Sequence, residues 1–179
     1  DSATNTNISL PTTTTPTTTT LSGSVVKGPL KNALVFADYD GDGILDANEP
    51  STRTNADGSF SLASTDPTAG FVAISDSSTV DSFTGAPMTG VTMRAPAGAT
   101  VVTPATTLYV ALVENNPDIK STEVASVLGL EDVNILDFNP FASDSDPALA
   151  LKAEKVASQI MTTITSIAAA GEGAGASQS

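Results

Sequence analysis

The sequence predicts an α+β fold, an antiparallel Ig-like or transthyretin-like β-sandwich followed by C-terminal helices packed on it. Three observations predict this. Between residues 22 and 102, short apolar stretches recur, separated by turns rich in Gly, Asp, Asn and Pro. From residue 103 the apolar period lengthens from two residues to three and four. Between two of the strand-like stretches sits one acidic loop, "DYDGDGILDANE" (38–49), whose flanks are wrong for helices.

In chain order, residues 1–21 are a Thr/Pro tract, "DSATNTNISLPTTTTPTTTTL". Thr favours extended backbone, and Pro11 and Pro16 block helix. The tract therefore reads as an extended arm or linker. Such tracts carry O-linked sugars in secreted proteins, and Asn7-Ile8-Ser9 is an N-glycosylation sequon. An extended arm can also add a strand to a neighbouring sheet edge, including that of another copy. An arm paired with a second copy would favour that role. One lying free or on its own domain would oppose it.

Residues 22–102 then read as the sandwich. "SGSVVKGP" is a short extended run. "NALVFAD" places Leu34 and Phe36 on one face and Val35 and Ala37 on the other, which suits an interior strand. "GSFSLAS" alternates, with Phe60 and Leu62 inward. "GFVAIS" is again apolar on both faces, and "GVTMRA" alternates Val91 and Met93 with Thr92 and Arg94. Asn55 to Gly58 form a turn before a strand.

Residues 103–170 form the helical part of the same domain. Thr103 caps and Pro104 opens a helix that ends near Asn116-Pro117. Ser121 caps a second, short helix with Gly129 near its end. Asp146 caps and Pro147 opens a third. On it Leu149, Ala153, Val156, Ile160, Ile164 and Ile167 form one apolar stripe, with Lys152, Glu154, Lys155, Ser158 and Gln159 off it. Residues 171–179 form a polar, Gly-rich tail expected to be flexible.

The loop matches a twelve-residue calcium-binding pattern. Counting from Asp38, positions 1, 3, 5, 7, 9 and 12 are Asp38, Asp40, Asp42, Ile44, Asp46 and Glu49, and position 6 is Gly43. Alternate carboxylates converge as the chain wraps an ion. Gly43 permits the sharp turn, Ile44 offers only its backbone carbonyl, and Glu49 is long enough to bind with both oxygens. The Ile44 side chain is expected to tuck beneath the loop. An all-oxygen, highly charged set on a flexible loop favours Ca²⁺ over Mg²⁺. The entering "KNALVFA" reads as a strand and the exit is Pro50, so the ion would brace a sheet. A second acidic group, Asp137, Asp144 and Asp146, is poorly spaced for one ion, and capping by Asp146 accounts for part of it.

Composition narrows the chemistry. The 179 residues contain no Cys and no His, which rules out disulfides, thiol nucleophiles, Ser-His-Asp triads and the usual zinc ligands. A net charge of -13 gives the chain no electrostatic reason to approach nucleic acid or anionic membranes. No apolar run approaches the ~20 residues of a membrane span. No G-x-S-x-G elbow is present, and the loop acids are better explained as metal ligands than as a catalytic pair.

Residues 23–62, "GSVVKGPLKNALVFADYDGDGILDANEPSTRTNADGSFSL", resemble a module of large bacterial surface and secreted proteins, similar to carboxypeptidase-regulatory-like and adhesin β-sandwich domains. The shared pieces are Gly-x-Val, Gly28-Pro29-Leu30, Ala33-x-Val35-Phe36, the acidic loop, and Thr54 with Asp57-Gly58-x-Phe60. "APAGATVVTPATTLYVALVE" resembles the segment that follows such modules. The likeness covers residues 22–115. It implies a non-catalytic, calcium-binding module outside the cytoplasm, extracellular or on the cell surface. The expected role is structural or adhesive, with surface glycans, proteins or copies of itself as partners. In one form it is a filament subunit donating a strand from residues 1–21. The alternative is a carbohydrate-binding or accessory domain of a secreted enzyme, against which stands the absence of Trp.

Overall fold

Side-chain alternation divides the central strands into two faces, and both faces are filled. The computed structural model describes residues 11–141 and 146–160. The Asn7 sequon, Asp144, Ile164, Ile167 and the 171–179 tail lie outside them. Among the described residues nine strands precede the helices: β1 (Thr19–Val25), β2 (Leu30–Lys31), β3 (Leu34–Asp38), β4 (Ser51–Arg53), β5 (Ser59–Ser64), β6 (Gly70–Ile74), β7 (Val80–Asp81), β8 (Thr92–Ala95) and β9 (Val101–Val102). They form three sheets, ordered β5-β1-β9, β2-β7 and β4-β3-β6-β8. All pairings are antiparallel except β1 with β9.

The two larger sheets meet across one core. Val35 and Ala37 on β3, Phe71 and Ala73 on β6, and Met93 on β8 pack with Val25, Phe60 and Val102 of the other sheet. The rings of Phe60 and Phe71 meet edge to face, with centroids 5.2 Å apart. Phe36 and Val72, opposite each other in the β3–β6 register, are also buried. This matches the expected interior strands: β3 and β6 are the two middle strands of their sheet. On β5, Phe60 and Leu62 are buried and Ser61 is exposed, as the alternation predicts.

Helix α1 (Pro104–Asn115) follows β9 directly. Its Thr103 cap accepts from the Thr106 amide, and Thr106 Oγ1 accepts from the Thr103 amide. The helix lies along the outer edge of β8. There the Thr107 hydroxyl accepts from the Arg94 amide at 3.0 Å and the Thr106 hydroxyl donates to the Arg94 carbonyl at 2.7 Å. Side chains thus complete an edge that would otherwise present free backbone groups. Helix α2 (Ser121–Val127) begins one residue earlier than expected. Lys120 occupies the cap position with no side-chain hydrogen bond, and Ser121 is the first helical residue. Helix α3 covers 147–160 of the described residues, and Asp146 Oδ1 accepts from the Ala148 amide as a cap should.

Leu149, Ala153 and Val156 of α3 pack on a second core built from Val124, Ala125, Leu130, Val133 and Ile135. Leu136 touches both cores, and its carbonyl accepts from the Thr100 amide at 2.8 Å. The helices are therefore continuous with the sheets. No helix among the described residues is long and apolar enough to cross a membrane.

Strand β1 starts at Thr19, inside the stretch set apart as an arm. Thr19, Thr20 and Leu21 pair with Ser64, Ala63 and Leu62 of the same chain. This pairing counts against strand donation by these three residues. Residues 11–18 are exposed and belong to no strand or helix.

Candidate metal centre

The acidic loop is the connection of a β-hairpin. Leu34, Val35 and Phe36 of β3 pair with Arg53, Thr52 and Ser51 of β4, and the Ala37 amide donates to the Pro50 carbonyl at 3.1 Å to close the loop's mouth. Asp38 is the last residue of a central strand and is only 6% exposed. That strand holds the first expected ligand rigidly, while Asp40 and Asp42 lie out in the loop.

Backbone amides shape the interior. Asp38 accepts from the Gly41 amide at 2.8 Å through Oδ1 and from the Gly43 amide at 3.0 Å through Oδ2. Asp40 accepts from the Asp42 amide at 3.2 Å, and Asp42 from the Ile44 amide at 2.7 Å. Gly43 has φ 76°, in the left-handed region where an L-residue is strained, which is the turn expected at position 6. Glu49 is buried and reaches back to the loop's start. Its Oε1 accepts from the Tyr39 amide at 2.7 Å, and its Oε2 from the Asp46 amide at 2.9 Å. The Tyr39 hydroxyl, 3.1 Å from Ser64 Oγ, ties the loop to the end of β5.

One carboxylate oxygen from each of Asp38, Asp40 and Asp42 lies within 4.8 Å of the other two. A cation held at about 2.3–2.6 Å from each oxygen has a shell roughly 4.6–5.2 Å across. The three residues therefore fit one metal ion, and they form the one such group among the described residues. Asp46 and Glu49 belong to the same loop without joining that tight group. Asp46 nevertheless feels the others: desolvation, then the charges of Asp40, Asp42, Glu49 and Asp38, raise its carboxyl above the ordinary aspartate value. The Ile44 side chain does not tuck beneath the loop. It is 64% exposed, because the loop projects from the hairpin into solvent and residues 40–42 and 44–48 are all exposed.

One contributor carried no recognisable signal in the sequence. Arg94, on β8, sends Nη2 to the Gly41 carbonyl at 3.1 Å and to within 3.5 Å of Asp38 Oδ2. Its Nη1 lies 2.6 Å from Glu114 Oε1 on α1. In the alternation of "GVTMRA" it is simply an outward-facing residue, and the 56-residue separation from Asp38 hides the contact.

An apolar cavity of about 320 Å³ opens elsewhere, between the sheets and the helical part, with Val26, Leu130, Ile135 and Val156 in its walls. Phe83, 68% exposed, stands at it with its ring centroid 5.0 Å from that of Phe141. No known protein family, no curated protein and no solved structure matches the chain.

Proposed function

We propose that this chain is a non-catalytic structural or adhesive module working outside the cell, with Ca²⁺ in the 38–49 loop bracing an Ig-like or transthyretin-like sandwich. The observation that carries this reading is the convergence of Asp38, Asp40 and Asp42 at the end of a central strand. Asp46, the Ile44 carbonyl and Glu49 complete the ligand set in this proposal. The ion's role is to pin the β3–β4 hairpin, because the ligands begin at one strand and end just before the other. A single loop without a helix pair offers no groove to open, so signalling of the paired-hand kind is not proposed.

The test is calorimetric titration with Ca²⁺, with thermal unfolding followed in Ca²⁺ and in chelator. Uptake of one ion and a higher melting temperature in Ca²⁺ are expected. No uptake at millimolar Ca²⁺ overturns the reading. In its filament form, a strand donated to another copy would come from residues upstream of Thr19. Deleting residues 1–18 should then abolish filaments seen by electron microscopy.

A second reading rests on the exposed Phe83 ring beside Phe141, which offers the stacking surface that sugar-binding modules use. Binding on a glycan array that is lost in Phe83→Ala would favour a carbohydrate-binding or accessory domain.

A further inference from the structure

Arg94 joins three parts of the molecule that are far apart in sequence: the sheet that carries it, the acidic loop and α1. Its two contacts with acids are unequal. The guanidinium stands 2.6 Å from Glu114, and 3.5 Å from Asp38. It is 25% exposed, and a cleft of about 250 Å³ opens beside it between α1 and the loop, bordered by Gly41, Tyr109 and Val113. The group therefore has room to shift. An ion about 2.4 Å from Asp38 Oδ2 would lie within roughly 6 Å of Nη2. At that separation a divalent ion and a guanidinium repel each other by about tenfold in affinity, even at the dielectric constant of water.

We propose that Arg94 is the resident counter-ion of the acidic loop and competes with the metal for Asp38, so that filling the loop frees the guanidinium from Asp38, leaves it to Glu114 alone and tightens α1 on the sheet. This inference rests on the reading of the loop as a metal site. Arg94 lowers the metal affinity and, in return, makes the helix a sensor of occupancy. Coupling of this kind is reciprocal: whatever strengthens the Arg94–Glu114 pair strengthens metal binding.

The test is Ca²⁺ titration of the full chain and two variants, with hydrogen exchange measured on α1. Arg94→Gln removes the charge while keeping a polar side chain, and it should bind Ca²⁺ about tenfold more tightly. Glu114→Gln, at a half-exposed position, removes the alternative partner and should bind several-fold more weakly. In the unsubstituted chain Ca²⁺ should slow exchange in α1, and in Arg94→Gln it should not. A purely scaffolding role would loosen the helix in both variants and weaken both. Binding by Arg94→Gln that is unchanged or weaker overturns the proposal. So does tighter binding by Glu114→Gln, should Arg94→Gln fail to fold. Ca²⁺ uptake by the unsubstituted chain with no change in either variant overturns the Arg94 assignment alone. No uptake by the unsubstituted chain overturns the metal site with it.

Discussion

Asp46 in the 38–49 loop and the acids of the neighbouring turns obey opposite electrostatics. In the turns each carboxylate meets a hydroxyl and an amide two residues on. Asp66 accepts from the Thr68 amide and hydroxyl at 2.8 and 2.6 Å, and Asp76 accepts from those of Ser78 at 2.9 and 2.6 Å. Asp57 does the same with Ser59. These bonds hold all three carboxyls below the ordinary aspartate value. For Asp76, with Arg53 added to the Ser78 bonds, the value falls to about 2. In the loop the amides are also present, yet Asp46 is raised instead, by desolvation first and then by the charges of the surrounding acids. A turn acid is complete within its own three residues. The loop acids are brought together without a compensating charge large enough for five of them, since Arg94 supplies one.

The largest expected effect separates the two sets directly. Ca²⁺ at about one hundred times its Kd should add about 2.7 kcal/mol to the stability of the unsubstituted chain. That is a melting-temperature gain of roughly 5–10 °C for a chain of this size. Asp38→Asn and Glu49→Gln should abolish the gain, so that their melts coincide in Ca²⁺ and in chelator. Asp66→Asn should retain it in full. Loss of the gain in Asp66→Asn would dissolve the distinction between loop and turn.

Two glycines sharpen the comparison at the backbone. Gly58, in the turn, has φ 83°, and a Cβ there would stand 2.7 Å from the Val25 carbonyl oxygen. Gly43, in the loop, has φ 76° and open space around it. Gly58→Ala combines strain with a backbone clash and should cost about 2 kcal/mol or more, equally with and without Ca²⁺. Gly43→Ala carries the φ penalty alone, about 1 kcal/mol, and should also weaken Ca²⁺ binding. Chemical denaturation in Ca²⁺ and in chelator checks both.

The smallest effect is in the acid limb, and there Asp76 and Asp46 have opposite signs. Asp76 is depressed in the fold, so its contribution is complete above roughly pH 4 and is lost as the pH falls towards about 2. Asp76→Asn should flatten stability over that window. Asp46 is raised, so in the metal-free protein its ionisation removes stability as the pH climbs through the raised value. Asp46→Asn should erase that downward step in chelator. A step of the same sign from both residues would contradict the assignment.

Much of this was legible in local pattern. The central strands β3 and β6 show themselves by being apolar on both faces. The alternation in β5 and the Thr103-Pro104 and Asp146-Pro147 helix starts were equally plain. Spacing alone marked the loop, because its expected ligands are close in sequence. Strands β2, β4, β7 and β9 were not legible. They have two or three residues each, too few for any period to register, and they exist through pairing with distant partners. The start of β1 was hidden by the Thr tract, where Thr19 and Thr20 differ from the Thr residues before them only in having β5 alongside. Arg94 was missed for a related reason: its role arises from where β8 and α1 bring it, and nothing within ten residues of it announces an acidic loop. The outward position of Ile44 depended on how far the hairpin projects, which residue type does not specify.

The parallel pairing of β1 with β9 has a mechanical consequence. The Ser24 amide donates to the Thr100 carbonyl at 3.0 Å, and the Val26 amide to the Val102 carbonyl at 2.9 Å. The chain enters β1 from the segment before Thr19 and leaves β9 towards α1, so the two strands point the same way and are tethered at opposite ends. Tension applied through those tethers would slide the strands lengthwise past each other, straining both hydrogen bonds together instead of opening them one after the other like a zipper. Once α1 had been stripped away, the resistance of the sheets to pulling would be concentrated in this short pair and in the apolar side chains of Val25 and Val102 that flank it.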